Sequence, residues 1–297
     1  TASNNCAYGF KALMSNTTGT QNVAVGAFAL DAVTTSSNNT AVGYGVLSAT
    51  TSGTSLSAVG TNALSSNTTG DYNTAVGTGC MEANTTGANN TAMGYLALDN
   101  NTTASDNTAF GYKALDANTT GAENTAVGKG ALDANTTASS NTAVGNNALT
   151  TNTTGSANTA VGHSALENCT TSTQSTAVGQ RALENVTTGD KNTALGWNAG
   201  GALTTGDDNV FVGQRAGDAI TTGDHNTALG AGALSSGSTG ENCTAVGENA
   251  LFANTSGTGN TCVGQRSGES ITTGTDNVFM GREAGRDVTT GDNNIIF

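Results

Sequence analysis

The chain has 297 residues and a formal net charge of -13, with 9 Lys and Arg against 22 Asp and Glu. That balance disfavours a nucleic-acid partner, whose phosphates demand clustered basic residues, and it favours solubility and self-repulsion. Aromatic residues make up 4% and charged residues 10%, too little for a thick globular core, and no apolar run approaches the ~18 residues of a membrane span.

Reading from the first residue, Gly9, Gly26 and Gly43 open a series that returns every 17 residues through Gly128 and Gly264 to Gly281. No insertion breaks the register. Such a period means one supersecondary unit stacked many times, here about seventeen and a half. The unit is seen clearly in residues 124–140. Asn124-Thr125-Ala126-Val127-Gly128 alternates with the period of a strand. Lys129-Gly130-Ala131-Leu132 follows, then Asp133-Ala134-Asn135-Thr136-Thr137, then a short bend at Ala138-Ser139-Ser140. The Gly128 position is expected to need positive φ or a close backbone approach. Gly121 and Gly155 mark a second bend. The paired Thr positions, broken by Ser52, Ser238 and Ser256, suit a short second strand. Segments this short, punctuated by glycine, exclude helices.

Val127 and Leu132, with their equivalents, are the expected interior. The Val127 position is apolar or aromatic in every copy, and the Leu132 position is Leu in twelve copies and Gly in four. In those four coils (Gly200, Gly217, Gly268, Gly285) the position three residues on becomes Leu203, Ile220, Ile271 or Val288. A lost side chain is replaced by a neighbour, as a core of constant volume requires. The Asn124 position is Asn in fifteen of eighteen copies, which points to an amide ladder along the stack. The Ala126 position is never polar. It is expected to be covered either by the coil itself or by a neighbouring chain. The fold class is therefore all-β: a parallel β-solenoid running as one continuous domain over residues 1–297, ~4.8 Å per coil and ~80 Å long.

Chemistry is sparse. His163 and His225 lie at different phases, and no nucleophile, base and orienting group recur around either, so no catalytic residue is expected. Gly128-Lys129-Gly130 belongs to the repeat rather than to a phosphate loop. Arg181, Arg215 and Arg266 read as exposed. Cys6, Cys80, Cys169, Cys243 and Cys262 fall at five different phases, neither a disulfide framework nor a metal spacing. Asp190, Asp207, Asp224 and Glu241 stack in four successive coils, either as a solvated acidic stripe or as oxygen ligands for Ca²⁺. Asn16, Asn67, Asn84, Asn101, Asn118, Asn135 and Asn152 open Asn-Thr-Thr triplets that match the N-glycosylation acceptor pattern. Rows of outward Thr also fit an ice-binding surface.

Asn-Thr-Ala-Val-Gly, two residues, Ala-Leu, then Asn-Thr-Thr-Gly resembles the head repeats of trimeric autotransporter adhesins and the repeat shafts of tail-fibre-like proteins. The resemblance covers the whole chain, although the 17-residue period is longer than that of the adhesin heads. It implies left-handed coils, three chains side by side, and a place outside the cell or on a cell or virion surface. The expected function is thus a structural, non-enzymatic fibre or filament component with adhesive use and no cofactor beyond the Ca²⁺ alternative. The alternative is an ice-binding or glycan-displaying rod. Thr1 enters in mid-repeat and Phe297 stops in mid-strand, and core residues such as Ile296 stand at that edge. Either the chain is a segment of a longer protein or copies stack head to tail, and the expected partner is the chain itself, as a lateral trimer or a head-to-tail filament.

Overall fold

The computed structural model describes residues 2–237 and 239–297. Ser238, one of the Ser substitutions in the paired Thr rows, lies outside them. The chain falls into two compact units, Thr1–Asn147 and Ala148–Phe297. Each is a parallel β-solenoid. Among the described residues the first carries nine strands, from β1 (Cys6–Tyr8) to β9 (Thr142–Val144), and the second another nine, from β10 (Thr159–Val161) to β18 (Ile295–Ile296). In both, each strand pairs with the next at a shift of one repeat. Between β8 (Thr125–Val127) and β9, Thr125 faces Thr142, Ala126 faces Ala143 and Val127 faces Val144. Between β10 and β11 (Thr176–Val178), Thr159 faces Thr176 in the same way.

The alternation in the strand places its residues opposite to the expected order. Ala126 is fully buried, and so are its equivalents from Ala24 to Phe279. Val127 is half-exposed, and Val59 and Leu195 at the same position are 41% and 50% exposed. In most coils the Leu132 column already fills the thin section, so small Ala points inward and Thr and Val point out. Coverage of the Ala position thus comes from within the coil. Leu132 is buried as expected.

After the strand the backbone takes an unusual course. Gly128 has φ +138, and a Cβ there would collide with the carbonyl of Gly145 in the next coil. This one column therefore tolerates only glycine. Two and four residues later, Gly130 and Leu132 both sit at positive φ, +65 and +53. A leucine in the left-handed region costs of order 1–2 kcal/mol, which burial of its side chain, about 1.5–3 kcal/mol, offsets. The alternation aims successive N–H groups in opposite directions. Gly130 N–H donates back to Tyr112 O at 3.0 Å, whereas Leu115 N–H donates forward to Ala131 O at 3.0 Å. The backbone is thereby paired along the stack without strand geometry.

The Asn-Thr-Thr segment is a bend rather than the expected second strand. There Thr136 O accepts Thr119 N–H at 2.9 Å, Thr120 N–H at 3.3 Å and Thr119 Oγ1 at 3.0 Å. One carbonyl holds three donors of the preceding coil.

Two Asn ladders run inside. Asn124 Nδ2 donates to Asn107 Oδ1 at 3.2 Å and Ala138 O at 2.9 Å, and Asn124 N–H donates to the same Oδ1 at 3.0 Å. In the other ladder Asn84, Asn101 and Asn118 each donate Nδ2 to the Asn one coil back, at 2.8–3.0 Å. In the second unit, Asn209 and Asn277 repeat the first pattern.

The volume compensation is larger than the sequence showed. Phe211 and Phe279 occupy the inward Ala position, and a Cβ on Gly217 would lie 2.5 Å from the Phe211 ring. Glycine at the Leu position thus makes room for a phenyl ring as well as for Ile220.

Leu132→Ala is expected to cost about 2–5 kcal/mol, whereas Val127→Ser, on the outer face, should cost well under half of that in urea denaturation followed by far-ultraviolet circular dichroism. In the second unit, Phe211→Ala alone should cost about 3–5 kcal/mol. Gly217→Leu alone should cost about 1–3 kcal/mol by overpacking. The double variant recreates the common Ala–Leu pair and should be more stable than either single one, giving a favourable coupling in a double-mutant cycle.

Candidate functional site

The strand projects two outward ranks in each unit. One is mainly Thr, with Cys6, Val23, Ser57, Val210, Val278 and Ile295 as exceptions, and the other is wholly apolar. No charged residue occupies either rank in any strand. The apolar rank is exposed or half-exposed: Tyr8, Val42, Met93, Val161, Leu229 and Met280 face solvent, whereas Val127 and Val144 are half-buried. In a chain of net charge -13, each unit thus carries a strip from which every carboxylate is absent.

Beyond the glycine corner lies a second surface. In the first unit Phe10, Phe28 and Tyr44 stand edge to face, with ring centroids 5.4 and 5.8 Å apart. Lys11 Nζ sits 5.4 Å from the Phe10 ring and 5.5 Å from that of Phe28. Tyr44 forms the rim of an open cavity of about 460 Å³ that is also lined by Phe28, Asp31, Gly45, Ser48, Asn62 and Ser65. Farther along the same unit Tyr95 and Tyr112 stack at 5.7 Å and 13°.

Glu82, Asp99, Asp116 and Asp133 hold one position in four successive coils of this surface. Burial, then the charges of Asp116 and Glu82, push the Asp99 carboxyl up to about 6. Burial first and Asp116 second also raise Asp133. Lys113 Nζ pairs with Asp116 at 3.0 Å, neutralising the middle of the column. Arg181, Arg215 and Arg266 repeat this i,i+3 pairing with Glu184, Asp218 and Glu269. Their side chains are 42–57% exposed, so the pairs contribute little.

The acidic stripe of the second unit has a structural use. Asp190 Oδ1 accepts Thr173 N–H at 2.6 Å, Asp207 Oδ1 accepts Asp190 N–H at 2.7 Å, and Asp224 Oδ1 accepts Asp207 N–H at 2.8 Å. Each carboxylate caps the backbone of the coil before it. Among the described residues no group of three or more His, Cys, Asp or Glu side chains converges as a metal site would require. That includes Asp190, Asp207, Asp224 and Glu241. Both histidines are exposed. His225 Nε2 lies 3.9 Å from Asp208 Oδ2, also exposed, and His163 lies on a different coil. The structure does not bring them together.

Of the seven candidate glycan acceptors, Asn67, Asn84, Asn101, Asn118, Asn135 and Asn152 are fully buried. Their amides belong to the ladder, as when Asn135 Nδ2 donates to Asn118 Oδ1 at 2.9 Å. Asn16 is half-buried, and its Nδ2 donates to Gly19 O at 3.1 Å. A glycan on these nitrogens would break the ladder, so the acceptor pattern here spells a fold element. Cys6 is exposed, whereas Cys80, Cys169, Cys243 and Cys262 are free and buried. Burial pushes Cys80, Cys169 and Cys262 up to about 12, which keeps them as inert thiols.

Neither the protein-family models nor the curated proteins contain a match to this chain. Among the described residues no helix is long and apolar enough to cross a membrane.

The outward face was missed because alternation identifies two sides of a strand but not which is inner. The aromatic cavity was missed because its residues are scattered over three coils. The signal for it was present: Gly45 interrupts a column that holds Phe28 and Asn62 on either side.

The Asp99 carboxyl moves from 3.8 to about 6 on folding, so its proton is held more tightly in the folded state. Its contribution to stability is full below the unfolded value and lost as pH rises through the folded one. Asp99→Asn should therefore raise the melting temperature at neutral pH and have little effect at pH values below that of the unfolded carboxyl. A pH series of thermal melts checks the sign.

Proposed function

We propose that this chain is a structural, non-enzymatic component of an extracellular or cell- or virion-surface fibre, with adhesive use, and that copies associate side by side through the outward Thr and apolar ranks. The observation that carries the reading is the charge-free apolar strip on an otherwise acidic protein. Acidic surfaces of two copies repel, so the strip is where a second copy approaches without penalty. Nine strands ~4.8 Å apart and three residues wide give each unit a face of roughly 400 Å². Each such face is about half of what one partner contributes to a stable interface. A continuous apolar rank left at the surface marks an interaction site. The likeness of the Asn-Thr-Ala-Val-Gly repeat to adhesin heads and tail-fibre shafts supports the same reading, including three chains side by side.

A second reading is favoured by one observation. In-register ranks of Thr and Val, regularly spaced within each unit, also suit an ice-binding surface. Thr137 and its equivalents add another exposed row. Thermal hysteresis in the purified protein would support that alternative.

Sedimentation velocity across a concentration series tests the main reading. The wild type should form a discrete oligomer. Val76→Glu in the first unit combined with Leu229→Glu in the second should shift it to monomer with an unchanged circular dichroism spectrum, since both side chains point outward. A wild type that stays monomeric at every concentration overturns lateral association.

A further inference from the structure

We infer that the cavity beside Tyr44 in the first unit is a saccharide-binding site, a proposal that rests on the adhesive part of the function above and names its ligand class. The cavity exists because of one missing side chain. Gly45 stands at φ +63 in a column where the coils on either side carry Phe28 and Asn62. A Cβ on Gly45 would lie 2.9 Å from Asn62 Oδ1. Its absence opens about 460 Å³ between an aromatic wall and a polar floor.

The lining states what would fit. Tyr44 is 56% exposed and offers a free ring surface, with the edge of Phe28 behind it. Asp31 Oδ1 is buried and has no hydrogen-bond partner, an acceptor desolvated without compensation. Ser48 Oγ, which donates to Ser65 O at 3.3 Å, keeps acceptor capacity. Asn62 Nδ2 reaches only Glu82 Oε1, at 3.5 Å.

Three ligand classes are disfavoured. An anion would meet the unpaired Asp31 carboxylate. A purely apolar ligand would bury Asp31, Ser48 and Asn62 without partners, at a cost of desolvation. An organic cation would need aromatic faces around it. Phe28 and Tyr44 instead close on each other edge-on at 79°, and Lys11 already stands over Phe28. A pyranose ring suits this lining. Its C–H face packs on Tyr44, and its hydroxyls meet the Asp31 carboxylate, Ser48 and Asn62. Saccharide recognition combines apolar ring contact with a few convergent polar groups, as here.

The test uses the full chain on a printed array of hexose and N-acetylhexosamine oligosaccharides, followed by titration calorimetry with the best-bound sugar. Binding of at least one sugar is expected. Tyr44→Ala and Asp31→Asn should each weaken it about tenfold or more. Gly45→Asn should abolish it by filling the cavity. The fold accepts that change, because Asn62 and Asn147 occupy the same position at φ 56 and 55. Tyr112→Ala, on other coils, should leave binding unchanged. Absence of binding to every sugar overturns the proposal, as does binding that survives Gly45→Asn. Choline is titrated as a cationic probe, and binding of choline in place of sugar overturns it too. Sedimentation of the same samples separates the outcomes: failure here with intact lateral assembly removes the saccharide site alone, whereas a monomeric wild type bears on the fibre reading.

Discussion

Each coil must satisfy its backbone through the coils above and below, because 17 residues enclose too little width for apolar burial to carry the fold alone. Inside the thin section the buried polar groups are mostly Asn, and they are fully buried in coil after coil. An unpaired amide in that setting would cost more than any single methyl contact returns. The solution is a transfer of each bond to a neighbour one repeat away. Asn107 Oδ1 serves Asn124 twice, and Thr136 O serves Thr119 and Thr120. Strand pairing, the left-handed turn and both Asn ladders all link each coil to the coils next to it, and the period tolerates no slippage.

Packing follows from the same narrowness. Small Ala on the strand and Leu beyond the corner fill the section in most coils. Where Leu gives way to glycine, the volume is supplied by Phe211 with Ile220, or by Phe279 with Val288, and at Gly268 by Cys262 with Ile271. Two different fillings of one outline show that the section holds its area while the residues exchange places, as close packing demands. The glycines also relieve the left-handed conformation that Leu132 bears at φ 53.

The period, the parallel stacking, the buried Leu column and the Asn ladder were legible in the residues because each repeats at constant phase. The inward Ala was not. Val127 looked like the core by hydropathy, yet only the coil's width decides that its strand offers Ala to the interior. The left-handed turn was hidden for a different reason. Leucine seldom adopts positive φ, so propensity argued against it, although glycine exchanging with Leu132 at four coils was its trace. Paired Thr read as a strand by β-branching, but three donors converging on Thr136 O bend the chain there. The Tyr44 cavity was legible only in part, because a site assembled from separate coils leaves no local motif. In the Asn-Thr-Thr triplets a modification pattern coincided with a structural one, and burial of Asn118 and Asn135 separates the two.

The recurring separation of 17 in the side-chain hydrogen bonds, from Asn39 with Asn22 to Asn294 with Asn277, has an evolutionary consequence. Since a coil interacts with its nearest neighbours, the gene can gain or lose a whole repeat by unequal recombination and still encode matching surfaces at the new junction. Length becomes a heritable variable that drifts without passing through misfolded intermediates. Substitutions spread along one flank, such as Gly45 or the tyrosines, can diversify independently on a backbone whose geometry stays the same.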